Sequence, residues 1–92
     1  MSRCVTMTAP EARTWLLYLA IACVQDGHAA GEGWALDGVR ATKSSRDFRR
    51  YLSNGYADAA DHNRRFGTRE SMRDARIQCL IASILRAVEV PR

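Results

Sequence analysis

The residues best suited to chemistry are Asp58, Asp61 and His62, in the segment YADAADH. Their spacing of i, i+3 and i+4 places them along one face of a helix. Two carboxylates and an imidazole could bind a metal ion or share a proton. The alternative is a solvated face, with Asp58 beside His62 and Asp61 paired with Arg64 or Arg65 one turn later. Because no second cluster of metal ligands occurs in the chain, the sequence favours the solvated face.

Other patterns of catalytic residues are missing from the sequence. There is no G-x-S-x-G, no phosphate-binding G-x-x-x-x-G-K-[ST] and no dinucleotide-binding G-x-G-x-x-G. Cys4, Cys23 and Cys79 are too widely spaced for a familiar zinc pattern, and we expect them to be reduced. His28 stands alone in a glycine-rich segment, where we expect it to be solvated. We therefore predict no enzyme, no cofactor and no metal site.

Arginine is the feature that sets this sequence apart. Of its 14 basic residues, 13 are arginine and only Lys43 is lysine. The charge is localised, because residues 40–76 hold ten basic and five acidic residues, whereas residues 1–30 hold two of each. Helical spacing places Arg46, Arg49 and Arg50 in one basic stripe. It places Arg69, Arg73 and Arg76 in a second. The arginines predicted to contact a partner are Arg46, Arg49, Arg50, Arg64, Arg65, Arg69, Arg73 and Arg76.

Two kinds of partner fit such stripes, and a third interpretation needs none. Guanidinium groups could form bidentate contacts with an acidic protein surface, or could follow a nucleic-acid phosphate backbone. Acidic residues are interleaved with both stripes, and no convincing helix-turn-helix spacing is present. The third interpretation is a basic face that meets only solvent. Trp34, flanked by glycine, is either a lid over the core or a binding anchor, and we favour the lid.

The first element is an apolar helix. Thr8 and Glu11 form a capping box, so a helix begins at about Ala9, and Gly27 can end it. Its run from 15 to 24 carries no charge, but ten residues are too few to span a membrane. A helix that is apolar on nearly every side must be surrounded, so we predict a core helix. Part of its surface, at Trp15 and Tyr18, would also allow a homodimer.

The remaining elements are predicted from glycines and apolar spacing. Residues 27–44 contain four of the six glycines and are predicted to be loop. A short helix then runs from Ser44 to Gly55 and another from Tyr56 to Gly67. A last helix starts after Thr68, stops before the proline at 91 and pairs with the first helix.

Together these elements predict one all-α domain over residues 1–92. It is a compact bundle of about four helices, two long and terminal, two short and central. An acidic residue just before the apolar run argues against a secretion signal, so we expect a cytoplasmic protein. We expect a small non-catalytic regulator or inhibitor that binds a protein partner, typical of bacterial accessory or phage products. The alternative is a nucleic-acid-binding module that uses the arginine stripes.

Overall fold

The four helices of this protein are seen in a computed structural model, which describes residues 6–88. Within that range there are no strands, and Met7 and Val88 form a single isolated bridge. The all-α prediction, with four helices, is confirmed. Cys4 lies outside the described residues. The helices are α1 (Ala9–Gln25), α2 (Ala29–Ala41), α3 (Arg46–Phe66) and α4 (Arg69–Ala87).

The helix ends follow the capping signals closely. Thr8 and Glu11 form the predicted capping box at α1, and the Thr68 side chain accepts a hydrogen bond from the Ser71 backbone at α4. Gly67 ends α3 in the left-handed conformation, with φ of 75°. The cap of α3 is Ser45, whose side chain accepts from the Phe48 backbone, so the helix begins at Arg46, two residues after its predicted start at Ser44.

Most of the segment predicted to be a loop is the helix α2, so that prediction is wrong. Two of its glycines, Gly31 and Gly38, allow neighbouring helices to come close and do not end the helix. Gly31 and Gly38 are buried, and a Cβ on Gly38 would lie 3.2 Å from the Leu16 side chain of α1. Since Ala35 between them is also buried, α2 presents a face of small residues to its neighbours. Close packing outweighs the low helix propensity of glycine, which costs about 1 kcal/mol per residue.

The two short central helices of the prediction are one helix, α3, which is the longest of the four. Gly55 does not end it, because the chain on both sides of this glycine is held against α4. Ser53 is completely buried and donates a hydrogen bond to the Ala82 carbonyl at 2.8 Å. Asn63, further along, donates to the Gln78 side chain at 2.8 Å. Tertiary packing therefore continues the helix through a residue of poor helix propensity.

The packing forms two helical pairs. Helix α1 packs mainly against α2, and α3 packs mainly against α4. The prediction that the last helix pairs with the first is therefore wrong, because the main partner of α1 is α2. Helices α1 and α4 also contact each other, but less extensively. A shared core joins the pairs around Leu16, Ile81 and Leu85, all almost fully buried. No helix in residues 6–88 has the length and hydropathy needed to cross a membrane.

Candidate functional site

Four arginines surround a cleft between the start of α3 and the end of α4. The cleft has a volume of about 470 Å³, within the roughly 300–1,000 Å³ of typical ligand sites. We call it the arginine pocket. Three more residues complete it: one amide and two aliphatic side chains. The lining residues are Arg46, Arg49, Arg50, Asn54, Leu85, Arg86 and Val88.

Local helix geometry brings these side chains together. Arg46, Arg49 and Arg50 are spaced i, i+3 and i+4 in the first two turns of α3, so they share one face. Because a two-residue link at Gly67 and Thr68 joins α3 to α4, the two helices form a hairpin. The start of α3 therefore lies opposite the end of α4, which contributes Arg86.

Two of the four guanidinium groups are fixed by hydrogen bonds. Arg49 is only 8% exposed, and its Nη1 donates to the Ser44 carbonyl at 2.6 Å. Arg86 donates from Nη2 to Oδ1 of Asn54 at 2.9 Å, across the two helices. A guanidinium has five N–H donors, so each retains further donors for a ligand. Groups held in place before binding lose less conformational entropy when a ligand arrives.

The electrostatics of the pocket favour an anion. Among residues 6–88, none that lines the pocket is acidic, and none of its four arginines forms an ion pair with another residue of that range. The first turn of α3 also directs the positive end of its helix dipole toward this region. Within the described part of the chain, three arginines outside the pocket are paired with carboxylates, for example Arg64 with Asp61 at 2.8 Å. The arginine pocket thus combines uncompensated positive charge with a concave shape.

The other predicted arginines lie at the opposite end of the α3–α4 hairpin. Arg50 and Arg64 are separated by about 21 Å along α3, at 1.5 Å per residue. Asp58 and Asp61 are exposed on the stretch between them. The predicted stripes therefore do not form one continuous surface. The arginines of this second group are Arg64, Arg65, Arg69, Arg73 and Arg76, all of them exposed.

Trp34 lies on α2 rather than in a loop. It is half-buried and packs against the hydrophobic core, and its ring makes an edge-to-face contact with His28, with centroids 5.6 Å apart. Its backbone carbonyl accepts a hydrogen bond from the Tyr56 hydroxyl at 3.4 Å. These contacts place Trp34 away from the residues that line the arginine pocket.

The acidic and histidine residues considered first form no cluster. Asp61 pairs with Arg64, as the solvated-face interpretation predicted. In the part of the chain that is described, no three His, Cys, Asp or Glu side chains lie close enough together to bind a metal ion. His62 borders a second cleft of about 290 Å³ near the α3–α4 link. That cleft also contains Asp74, whose carboxylate is already bound to His28.

His28 has a structural role that the sequence prediction missed. It is 7% exposed, not solvated, and its ring caps the N-terminus of α2. Nδ1 accepts a hydrogen bond from the Gly31 backbone at 3.0 Å, so Nε2 carries the proton and donates to Asp74 at 2.7 Å. One imidazole thereby ties the start of α2 to α4.

A second surface is the outer side of α1, which we call the α1 face. It is apolar and open to solvent, so the prediction of a core helix is wrong for this side of α1, which the other helices of the chain do not cover. Trp15 is 60% exposed and Tyr18 is 64% exposed, while the inner side of the helix is buried against α2 and the core. The large apolar side chains of the α1 face are Trp15, Leu17, Tyr18, Ile21 and Val24.

The sequence prediction missed Arg86 and Asn54 as members of the site. A usable signal was present in the short link between two long helices. If residues 67 and 68 form the link of a hairpin, residues near 46–50 must lie opposite residues near 85–88. The signal was hidden because α3 was predicted as two short helices, which removed the long hairpin.

Comparisons with protein-family models, with curated proteins and with solved structures find nothing that matches this chain.

Proposed function

We propose that this chain is a small non-catalytic regulatory or inhibitory protein, which binds an acidic segment of a protein partner in the arginine pocket. The observation that supports the proposal is the convergence of four guanidinium groups on one cleft, with no acidic side chain among its described lining residues. Charge-assisted hydrogen bonds of arginine to carboxylates are among the strongest polar contacts available to proteins. An acidic ligand would therefore complete the site.

The apolar part of the pocket narrows the ligand further. Leu85 is 3% exposed and Val88 is 7% exposed, and both border the cleft beside the guanidinium groups. An aliphatic side chain next to a carboxylate would contact both kinds of surface at once. A short peptide that alternates Glu or Asp with Leu or Ile has this chemistry. A bare phosphodiester chain offers no apolar group to match Leu85 and Val88.

The position of the pocket also favours a compact protein ligand. The pocket lies at one end of the α3–α4 hairpin. The second group of predicted arginines, from Arg64 to Arg76, lies toward the other end. Because exposed Asp58 stands between them, a phosphate backbone that followed α3 would meet negative charge halfway. A local acidic segment meets no such repulsion.

Catalysis is not part of the proposal. Burial raises the pKa of the Cys23 thiol above its ordinary value, which keeps the sulfur protonated and unreactive at neutral pH. The proposal includes a cytoplasmic location, supported by Cys23 and Cys79 being free thiols. It also includes a bacterial accessory or phage origin, supported by small size and an arginine-rich composition.

A second candidate function is nucleic-acid binding. It is favoured by the excess of five positive charges in residues 40–76 and by guanidinium groups that suit phosphate as well as carboxylate. About five phosphate contacts would give a plot of log binding constant against log salt with a slope of roughly −4 to −5. Binding to generic duplex DNA as salt is varied tests this candidate.

The main experiment measures fluorescence anisotropy of a labelled Glu-Leu-Glu-Leu peptide at low salt. Its control peptide replaces Glu with Gln. The pocket variant is Arg46→Ala with Arg50→Ala, which spares the buried Arg49. We expect this variant to bind about a hundredfold or more weakly, because it loses two charge-assisted contacts of roughly 1.5–3 kcal/mol each.

The matched control variant is Arg65→Ala with Arg69→Ala, which removes the same charge from exposed arginines at the other end of the hairpin. We expect its affinity to stay within about threefold of the original. Equal losses in both variants would show attraction by net charge alone and would contradict the proposal. Absence of peptide binding together with salt-dependent DNA binding would favour the second candidate.

A further inference from the structure

Helix α1 has an unusual distribution of side-chain size between its two sides. The side packed on the protein is formed mostly by small residues, with Ala12, Ala20 and Cys23 buried around Leu16. The side open to solvent carries two aromatic and three branched aliphatic residues. An ordinary surface helix buries its large apolar residues and exposes polar ones. The α1 face therefore resembles the buried side of a helix whose neighbour is missing.

The α1 face is also free of charge along its length. Between Thr14 and Gln25 the helix contains no acidic or basic residue, and this stretch is about 16 Å long at 1.5 Å per residue. Self-contact through its centre would therefore bring no like charges together. This matters because the protein as a whole is basic, with a formal charge of +4. A charged face on such a protein would repel its own copy.

The area of the face matches a weak specific dimer. If each of its five large residues exposes roughly 100 Å², about half of what a large aromatic side chain can bury, the face offers on the order of 500 Å². Two copies would then bury about 1,000 Å² in total, which is the lower limit for a specific interface. Contacts at this lower limit are typical of weak, transient association.

We propose that the occupant of the α1 face is the α1 face of a second copy of this chain, in a two-fold symmetric, antiparallel contact. In a two-fold symmetric contact the same surface of each copy meets the other, so the middle of the exposed apolar stretch 15–24, between Tyr18 and Ile21, lies near the symmetry axis. Ile21 then lies close to its own counterpart. Tyr18 and Leu17 pack on either side of that point.

The experiment is sedimentation equilibrium across low to high micromolar protein. The unmodified chain is expected to show a monomer–dimer equilibrium with a dissociation constant in the micromolar range. Ile21→Glu, at a side chain that is 54% exposed, places two like charges near the axis. It should weaken association by about tenfold or more. Circular dichroism should show unchanged helix content, because the substituted side chain is more than half exposed in the single chain.

Two controls make the test specific for this interface. Tyr51→Glu introduces the same charge at a more exposed aromatic residue on α3 and should leave the dissociation constant unchanged. A mixture of Ile21→Glu and Ile21→Lys chains should regain association, because opposite charges then meet near the axis. A chain that stays monomeric at high micromolar concentration would overturn the proposal. So would a dimer that survives Ile21→Glu, or one that the mixture fails to restore.

Discussion

Gly31 and Gly33 are two residues apart on α2 and have opposite surroundings. A Cβ at position 31 would lie 2.8 Å from the Cys23 sulfur and 3.3 Å from the His28 ring. A Cβ at position 33 would have no neighbouring atom within 4 Å. The first glycine therefore allows α1 and α2 to approach closely, while the second only weakens the helix.

We predict that Gly31→Ala and Gly33→Ala change stability in opposite directions. Gly31→Ala should destabilise the fold by about 1–3 kcal/mol, because the new methyl group forces the two helices apart. Gly33→Ala should stabilise it by about 0.5–1 kcal/mol through higher helix propensity. Urea denaturation of both variants measures these free energies. A stable Gly31→Ala variant would show that the close approach of α1 and α2 is wrong.

Tyr56 gives the stability of the fold a dependence on alkaline pH. Its burial, followed by the negative charge of nearby Asp37, raises the pKa of the phenol from 10 to about 12. The folded state therefore holds this proton more tightly than the unfolded chain. The resulting stabilisation is present below pH 10 and is lost as the pH rises from 10 toward 12.

The corresponding prediction uses Tyr56→Phe. Tyrosinate absorbance of the folded protein should contain a step near pH 12 that the variant lacks. The free energy of unfolding of the variant should fall less steeply between pH 10 and 12 than that of the unmodified chain. Identical slopes for the two proteins would contradict the proposed environment of Tyr56.

At the scale of helices, the sequence predicts the termini better than the interiors. Thr8, Thr68 and Gly67 act through bonds to residues three or four positions away, so their effect is visible locally. Gly31 and Gly38 of α2 act through contacts with side chains of α1 and α4, which are separate elements of the chain. Gly55 is similar, because the contacts that carry α3 through it come from α4. Long-range packing of this kind cannot be read from local composition.

The continuity of α3 makes a prediction about Gly55. This glycine is exposed, and a Cβ there would meet no atom within 4 Å. If α3 is one helix, Gly55→Ala should stabilise the protein by about 0.5–1 kcal/mol. Thermal unfolding followed by circular dichroism measures the change. A loss of stability would indicate that the chain bends at this position, as the two-helix prediction assumed.

The site was predictable only in part for the same reason. The spacing of Arg46, Arg49 and Arg50 reveals a shared face from sequence alone. Burial of Arg49 and the contribution of Arg86 depend on the pairing of α3 with α4. Of the exposed α1 face, only Trp15 and Tyr18 were indicated by the sequence, because apolar residues on every side of a helix normally indicate burial on every side.

At the scale of the whole molecule, two surfaces of different chemistry are formed by different elements. The arginine pocket belongs to α3 and α4, and no residue of α1 lines it. The α1 face is apolar and belongs to the other helical pair. A protein built this way can hold a second copy of itself and an acidic ligand at the same time.

This separation predicts that the two surfaces act independently. Ile21→Glu should leave the affinity for the acidic peptide within about twofold, since sites without shared contacts behave additively. Arg46→Ala with Arg50→Ala should leave self-association equally unaffected. Anisotropy and sedimentation on both variants check this. A large effect of either change on the other surface would show that the two sites are coupled.

The most direct test of the arginine pocket is an NMR titration that follows the side-chain Nε–Hε signals of the arginines. With the Glu-Leu-Glu-Leu peptide as ligand, we predict that four signals shift together with one saturation curve. They are the signals of Arg46, Arg49, Arg50 and Arg86. The signals of Arg64, Arg65 and Arg69 should stay in place. Shifts confined to the second group, or small shifts spread over all the arginines, would contradict binding of the peptide in the arginine pocket.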